Sequence, residues 1–155
     1  MLLDKKRVAQ IDMSGKGGGE KKFAPALPGY TRVSAPLYDF EQGTHRIELK
    51  KQKNLQWFDG WKYHNLSNED RNILMLLALH DGKQVEYVYS IPLGDMVDIL
   101  LSDSEYDKGG WTAAILQKEY NLKQVAPKRQ SKLPLKVRDF VKKYGHRVVL
   151  LYDRP

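Results

Sequence analysis

Apolar and polar residues alternate most regularly over residues 44–52, where Ile47 and Leu49 fall on one side of an extended chain and Glu48 and Lys50 on the other. The spacing predicts a strand with one apolar and one charged face. Residues 71–79 (RNILMLLAL) form a nearly unbroken apolar run, as expected of a strand buried on both faces. Residues 83–91 (KQVEYVYSI) are rich in β-branched and aromatic side chains, and Asp81-Gly82 between the two runs predicts a hairpin turn. Pro92 ends the second strand. A helix follows over 93–101, with Met96, Val97, Leu100 and Leu101 on one side.

The remaining segments are less regular. Residues 6–13 fit either a short strand or a helical turn, and an extended run is expected near 30–38 after Pro25, Pro28 and Gly29. Residues 54–66 carry Trp57, Phe58, Trp61 and Tyr63 and fit a short helix or a loop; such aromatics serve more often as core than as base-stacking platforms. A helix is expected around 111–120. Another is expected over 135–144, opened by Pro134 and closed by Gly145, before a final strand over 146–152. The glycine-rich stretch 14–22 predicts a flexible loop: a plain connection or a mobile basic arm against a nucleic-acid backbone. It lacks the Gly-Lys-Ser/Thr ending of a phosphate-binding loop. Strands and helices without strict alternation predict an α/β (α+β) fold, a central mixed β-sheet flanked by helices, in a single domain over 1–155.

Composition narrows the function. The chain has 155 residues and no cysteine, which excludes disulfides and thiolate chemistry. No stretch is apolar enough for a membrane span or a signal peptide, so a cytoplasmic protein is expected. The formal charge of +7 divides into +5 over residues 1–53, −6 over 54–122 and +8 over 123–155. Basic ends around an acidic middle suit a polyanionic partner, although lysine-rich surfaces also serve solubility alone.

Acid-x-lysine triplets include Asp4-Lys5-Lys6, Glu20-Lys21-Lys22 and Glu48-Leu49-Lys50, besides Asp81-Gly82-Lys83 in the predicted hairpin turn. The first has no acid before it and the second falls in the glycine-rich stretch. Only the third lies on a predicted strand behind a suitably spaced acid, Asp39. Along a strand Glu48 and Lys50 stand about 6.8 Å apart on one face. Asp39, Glu48 and the Leu49 carbonyl offer oxygen ligands to Mg²⁺, and Lys50 can orient a water for attack on a phosphate. The competing reading is the charged outer face of an edge strand. Glu41 is a further candidate ligand or a solvated carboxylate. His45, His80 and His146 lack the spacing of a zinc site or a nucleophile–base pair and receive no chemistry.

The Asp39-x8-Glu48-x-Lys50 pattern resembles the PD-(D/E)xK nuclease superfamily, with Tyr38-Asp39 in place of Pro-Asp. Leu27-Pro28-Gly29, the long apolar hairpin after the triplet, and Lys132-Leu133-Pro134-Leu135-Lys136-Val137 through Tyr144-Gly145 to Tyr152 are similar in order to restriction endonucleases of the PvuII type. The likeness spans roughly residues 27–152 and is closest at Glu48-Leu49-Lys50; the N-terminal region and the Asp39–Glu48 spacing depart from it. It implies a restriction-endonuclease-like core and Mg²⁺-dependent, site-specific hydrolysis of double-stranded DNA by a homodimer, with Asp39, Glu48 and Lys50 catalytic and Asp39, Glu48 and Leu49 holding the metal. By position, His64 and Asn65 look like base-reading residues, while His64 also fits a packed loop residue. Arg129 and Gln130 suit guanine and adenine edges, and Lys128 and Lys132 suit phosphates. A homing or DNA-repair endonuclease of the same fold, or a non-catalytic DNA-binding protein, are the alternatives.

Overall fold

The structure is a computed structural model that describes residues 2–15, 18–53, 56–59, 63, 66–103, 106 and 132–155. Its centre is a six-stranded mixed sheet. In chain order the strands are β1 (Thr31–Arg32), β2 (Phe40–Gln42), β3 (His45–Gln52), β4 (Gln56–Asp59), β5 (Leu74–His80), β6 (Val85–Pro92), β7 (Lys132–Leu135) and β8 (Val149–Asp153). The large sheet runs β1-β2-β3-β5-β6-β8, and β4 and β7 pair separately as an antiparallel ribbon. Helices α1 (Lys5–Ala9), α2 (Gly19–Phe23), α3 (Asn68–Arg71), α4 (Leu93–Ser102) and α5 (Val137–Lys143) complete the described structure.

β2 and β3 form a tight hairpin in which Gln42 faces His45, and the turn between them takes Gly43 to a φ of 60°. β3 then pairs with β5 in parallel, Glu48 opposite Met75 and Lys50 opposite Leu77. A parallel pair needs a crossover, and the segment carrying α3 supplies it. That helix starts where the Ser67 hydroxyl accepts the Asp70 amide at 3.1 Å, with Glu69 and Asp70 in its first turn.

β5 is central and buried on both faces, as its apolar run predicts. Met75, Leu77 and Leu79 pack with Met96, Leu100, Val137 and Phe140 from α4 and α5. Leu76 and Ala78 point the other way, with Ile47, Leu49 and Phe40, against Val8, Phe23 and Leu27. The sheet thus separates two cores, one covered by α1 and α2 and the other by α4 and α5.

Several expected boundaries shift. Residues 6–13 begin as a helix, α1, because the Asp4 carboxylate accepts the Lys6 and Arg7 amides at 3.1 and 3.3 Å. The strand expected from 71 starts at Leu74, since Arg71 ends α3. The two-residue turn at Asp81-Gly82 is wider: the Asp81 amide bonds the Gln84 carbonyl, and its carboxylate takes the Lys83 and Gln84 amides. Pro134 belongs to β7 rather than to a helix start, and α5 begins only at Val137. Buried Gln52 explains that start: its amide group bonds the Leu135 carbonyl at 3.2 Å and its carbonyl accepts the Val137 amide at 2.8 Å. Tyr144, rather than Gly145, is the C-cap, and β8 opens at Val149 instead of 146. The helix expected at 111–120 lies outside the described residues.

Candidate active site

The site is built where β2 departs from β3. Phe40 is the register partner of Ile47, yet the Asp39 amide also donates to the Ile47 carbonyl, at 2.7 Å. Two consecutive residues therefore face one residue of β3, the count of a β-bulge. Such a bulge re-aims a side chain. Here the Asp39 carboxylate accepts the Leu49 amide at 2.8 Å and ties itself to the middle of Glu48-Leu49-Lys50.

The two faces of β3 then treat the predicted residues differently. Glu48 is buried, 5 % exposed, on the face of Met75 and Leu77, and the Lys50 ammonium lies 3.5 Å from its carboxylate. Lys51 points to the opposite face, where its side chain fills the space a Cβ on Gly19 would need. That close approach seats α2 beside β3. It also brings Glu20, the second residue of α2, to Asp39.

Glu20 and Asp39 form the second acidic feature. Partial burial, the Asp39 charge and a hydrogen bond between the two carboxyl groups raise the Glu20 pKa above the ordinary carboxylate range, while Arg32 and Lys51 act against the shift. Two carboxylates brought together concentrate negative charge, the condition that a hard cation relieves. Glu20, Arg32, Val33, Ser34, Ala35 and Asp39 line an open groove of about 650 Å³. Glu20 was set aside in the sequence because its triplet falls in the glycine-rich stretch 14–22. In the fold that stretch ends at Gly18, which caps α2 with a φ of 75°, and residues 19–22 are helical. The readable signal was Phe23, an apolar anchor one turn from Glu20.

The fold therefore joins Asp39 to Leu49 directly, Glu48 to Lys50, and Glu20 to Asp39. Among the described residues, no three Asp, Glu or His side chains converge closely enough to make a metal-binding group. Glu41 is half-buried on β2. His64, Asn65, Lys128, Arg129 and Gln130 lie outside the described residues, and Lys132 is described only as part of the β7 backbone. No helix among the described residues is long and apolar enough to cross a membrane. No protein-family model matches this chain, and a search of curated proteins finds no match.

Proposed function

We propose that this chain is a Mg²⁺-dependent endonuclease that hydrolyses phosphodiester bonds of double-stranded DNA, on a restriction-endonuclease-like core of the PD-(D/E)xK type. The observation that carries the reading is the bond from the Leu49 amide to the Asp39 carboxylate, which couples the acid on one arm of a hairpin to the acid-x-lysine triplet on the other. The oxygen-only donor set and the meeting of Glu20 with Asp39 fit a hard cation. Asp39 and Glu20 would hold it, with the Leu49 carbonyl as a further oxygen, while Glu48 on the other face of β3 would aim Lys50. A bound Mg²⁺ would polarise the scissile phosphate and stabilise charge on the departing oxygen.

The chain's own groups do the rest. Glu48 holds the Lys50 ammonium at 3.5 Å, so the ammonium presents a pre-aimed donor to a water or a phosphate oxygen. Asp39, held by a main-chain amide, keeps its second oxygen for the groove side. Cutting both strands of a duplex calls for two such sites related by two-fold symmetry, hence a homodimer. A host would protect its own DNA with a matching methyltransferase.

The placement of Glu20 and Glu48 on opposite faces of β3 favours a second reading, a DNA-binding protein without catalysis. Phage DNA of known sequence, incubated with purified protein and Mg²⁺, separates the readings. Discrete fragments with mapped ends support the restriction-type enzyme. Cleavage confined to branched or mismatched substrates points to a repair enzyme of the same fold. Binding without cleavage, unchanged in Lys50→Ala, leaves the non-catalytic protein.

A further inference from the structure

We propose that Lys51, Lys53 and His80 form a phosphate-holding cluster that seats the DNA backbone beside the Glu20–Asp39 groove. The inference rests on the nuclease reading and adds to it a second, anion-binding half.

Lys51 faces Ala78 across the parallel β3–β5 ladder, and His80 lies two residues further along β5 at the same end of the sheet. The His80 Nδ1 accepts the Gly82 amide at 3.0 Å. That bond fixes the tautomer, leaving the ring proton on Nε2 as a donor. The Lys53 ammonium reaches the same turn, 3.4 Å from where a Cβ on Gly82 would stand. Two further charges here are already engaged. Arg138 bonds Glu86 at 2.6 Å and the carbonyls of Lys53 and His80, and Asp81 bonds Arg154 at 2.8 Å. Lys51 and Lys53 have no carboxylate within ion-pairing distance among the described residues.

Positive charge is thus gathered around the imidazole, with Asp81, itself bonded to Arg154, as the opposing acid. Burial, then Lys51, and with them Arg138 and Lys53, hold His80 below its ordinary value, only Asp81 opposing. A phosphodiester oxygen adds negative charge and accepts from Nε2. Lys51 joins the two halves, because it acts electrostatically on Glu20 as well as on His80. A cation between the carboxylates and a phosphate at Lys51 would then be neighbours, the arrangement that nuclease chemistry needs. Sequence spacing gives His80 no chemistry and Lys51 no role, because the lysine owes its direction to Gly19 and the histidine its surroundings to β3 and α5.

The test uses the full-length protein, a short fluorescent blunt-ended duplex and EDTA, so that binding is read without cleavage. The His80 ring is titrated by NMR with and without saturating duplex. Bound duplex should raise the His80 pKa by about one unit. Lys51→Ala/Lys53→Ala should weaken binding at least about tenfold and lower the slope of log affinity against log salt by about 2. Both lysines are exposed, and the wild-type His80 titration needs no variant. A His80 titration unmoved by bound duplex, or wild-type affinity and salt slope in the double variant, overturns the cluster while leaving the nuclease standing. A wild type that binds no duplex overturns the nuclease reading and the cluster with it.

Discussion

The two faces of β3 hold acids under opposite conditions. On one face Glu48 is buried and paired, its charge answered at 3.5 Å by Lys50. On the other, Glu20 and Asp39 meet at an open groove, where Arg32 and Lys51 oppose the rise that burial and the Asp39 charge give the Glu20 carboxyl. A paired, buried acid maintains structure and aims a lysine. Two acids brought together at an open groove repel each other, and a cation between them would relieve that repulsion. One strand thus carries a buried ion pair on one side and borders an acidic groove on the other, because alternate residues of a strand point apart.

The sharpest way to break this contrast is Asp39→Asn. The amide oxygen still accepts from Leu49, so folding stability should change by less than about 1 kcal/mol. Cleavage of duplex DNA should fall by about a thousandfold, measured under single-turnover conditions. Glu48→Ala attacks the other face. It strands the Lys50 charge at a largely buried position and should cost about 2 kcal/mol, below the value for fully buried pairs because Lys50 retains some solvent. Urea unfolding measures that loss.

Glu20→Gln sharpens the comparison through pH. A carboxyl raised in the folded state stabilises the metal-free fold while protonated, and that contribution fades as pH rises through its raised value. The variant should therefore flatten the pH dependence of metal-free stability in the range just above ordinary carboxylate titration. It should also raise the Mg²⁺ concentration needed for cleavage by about tenfold. The smallest effect belongs to His80. Its folded value lies below 6.5, so stability should hold above that pH and decline as pH falls towards the lowered value. Thermal melts of His80→Gln should lose that decline.

Much of the sheet was legible because its signals are local. The alternation around Ile47 and Leu49, the double-sided run ending at Leu79 and the apolar side of α4 each lie within one element. The Glu48-Leu49-Lys50 triplet was legible for the same reason. What escaped depends on distant chain. Pro134 lies in a strand because β4 offers a partner, Trp57 opposite it. Asp39 turns towards α2 because a bulge forms against Ile47, and no pattern in residues 37–41 specifies that. Glu20 was hidden by the glycines before it, which end at a helix cap rather than continuing as a loop. Lys51 was overshadowed by Lys50, since only packing against Gly19 distinguishes them.

The central claim is that the Asp39–Leu49 link builds a cation-dependent hydrolytic site. The most direct measurement follows cleavage and binding of one labelled DNA duplex together, with wild type and Asp39→Asn, across a Mg²⁺ titration. Mg²⁺-dependent cleavage by the wild type is expected, with a variant that binds the duplex but leaves it intact. Equal cleavage by both proteins, or none by the wild type at any Mg²⁺ concentration, would contradict it.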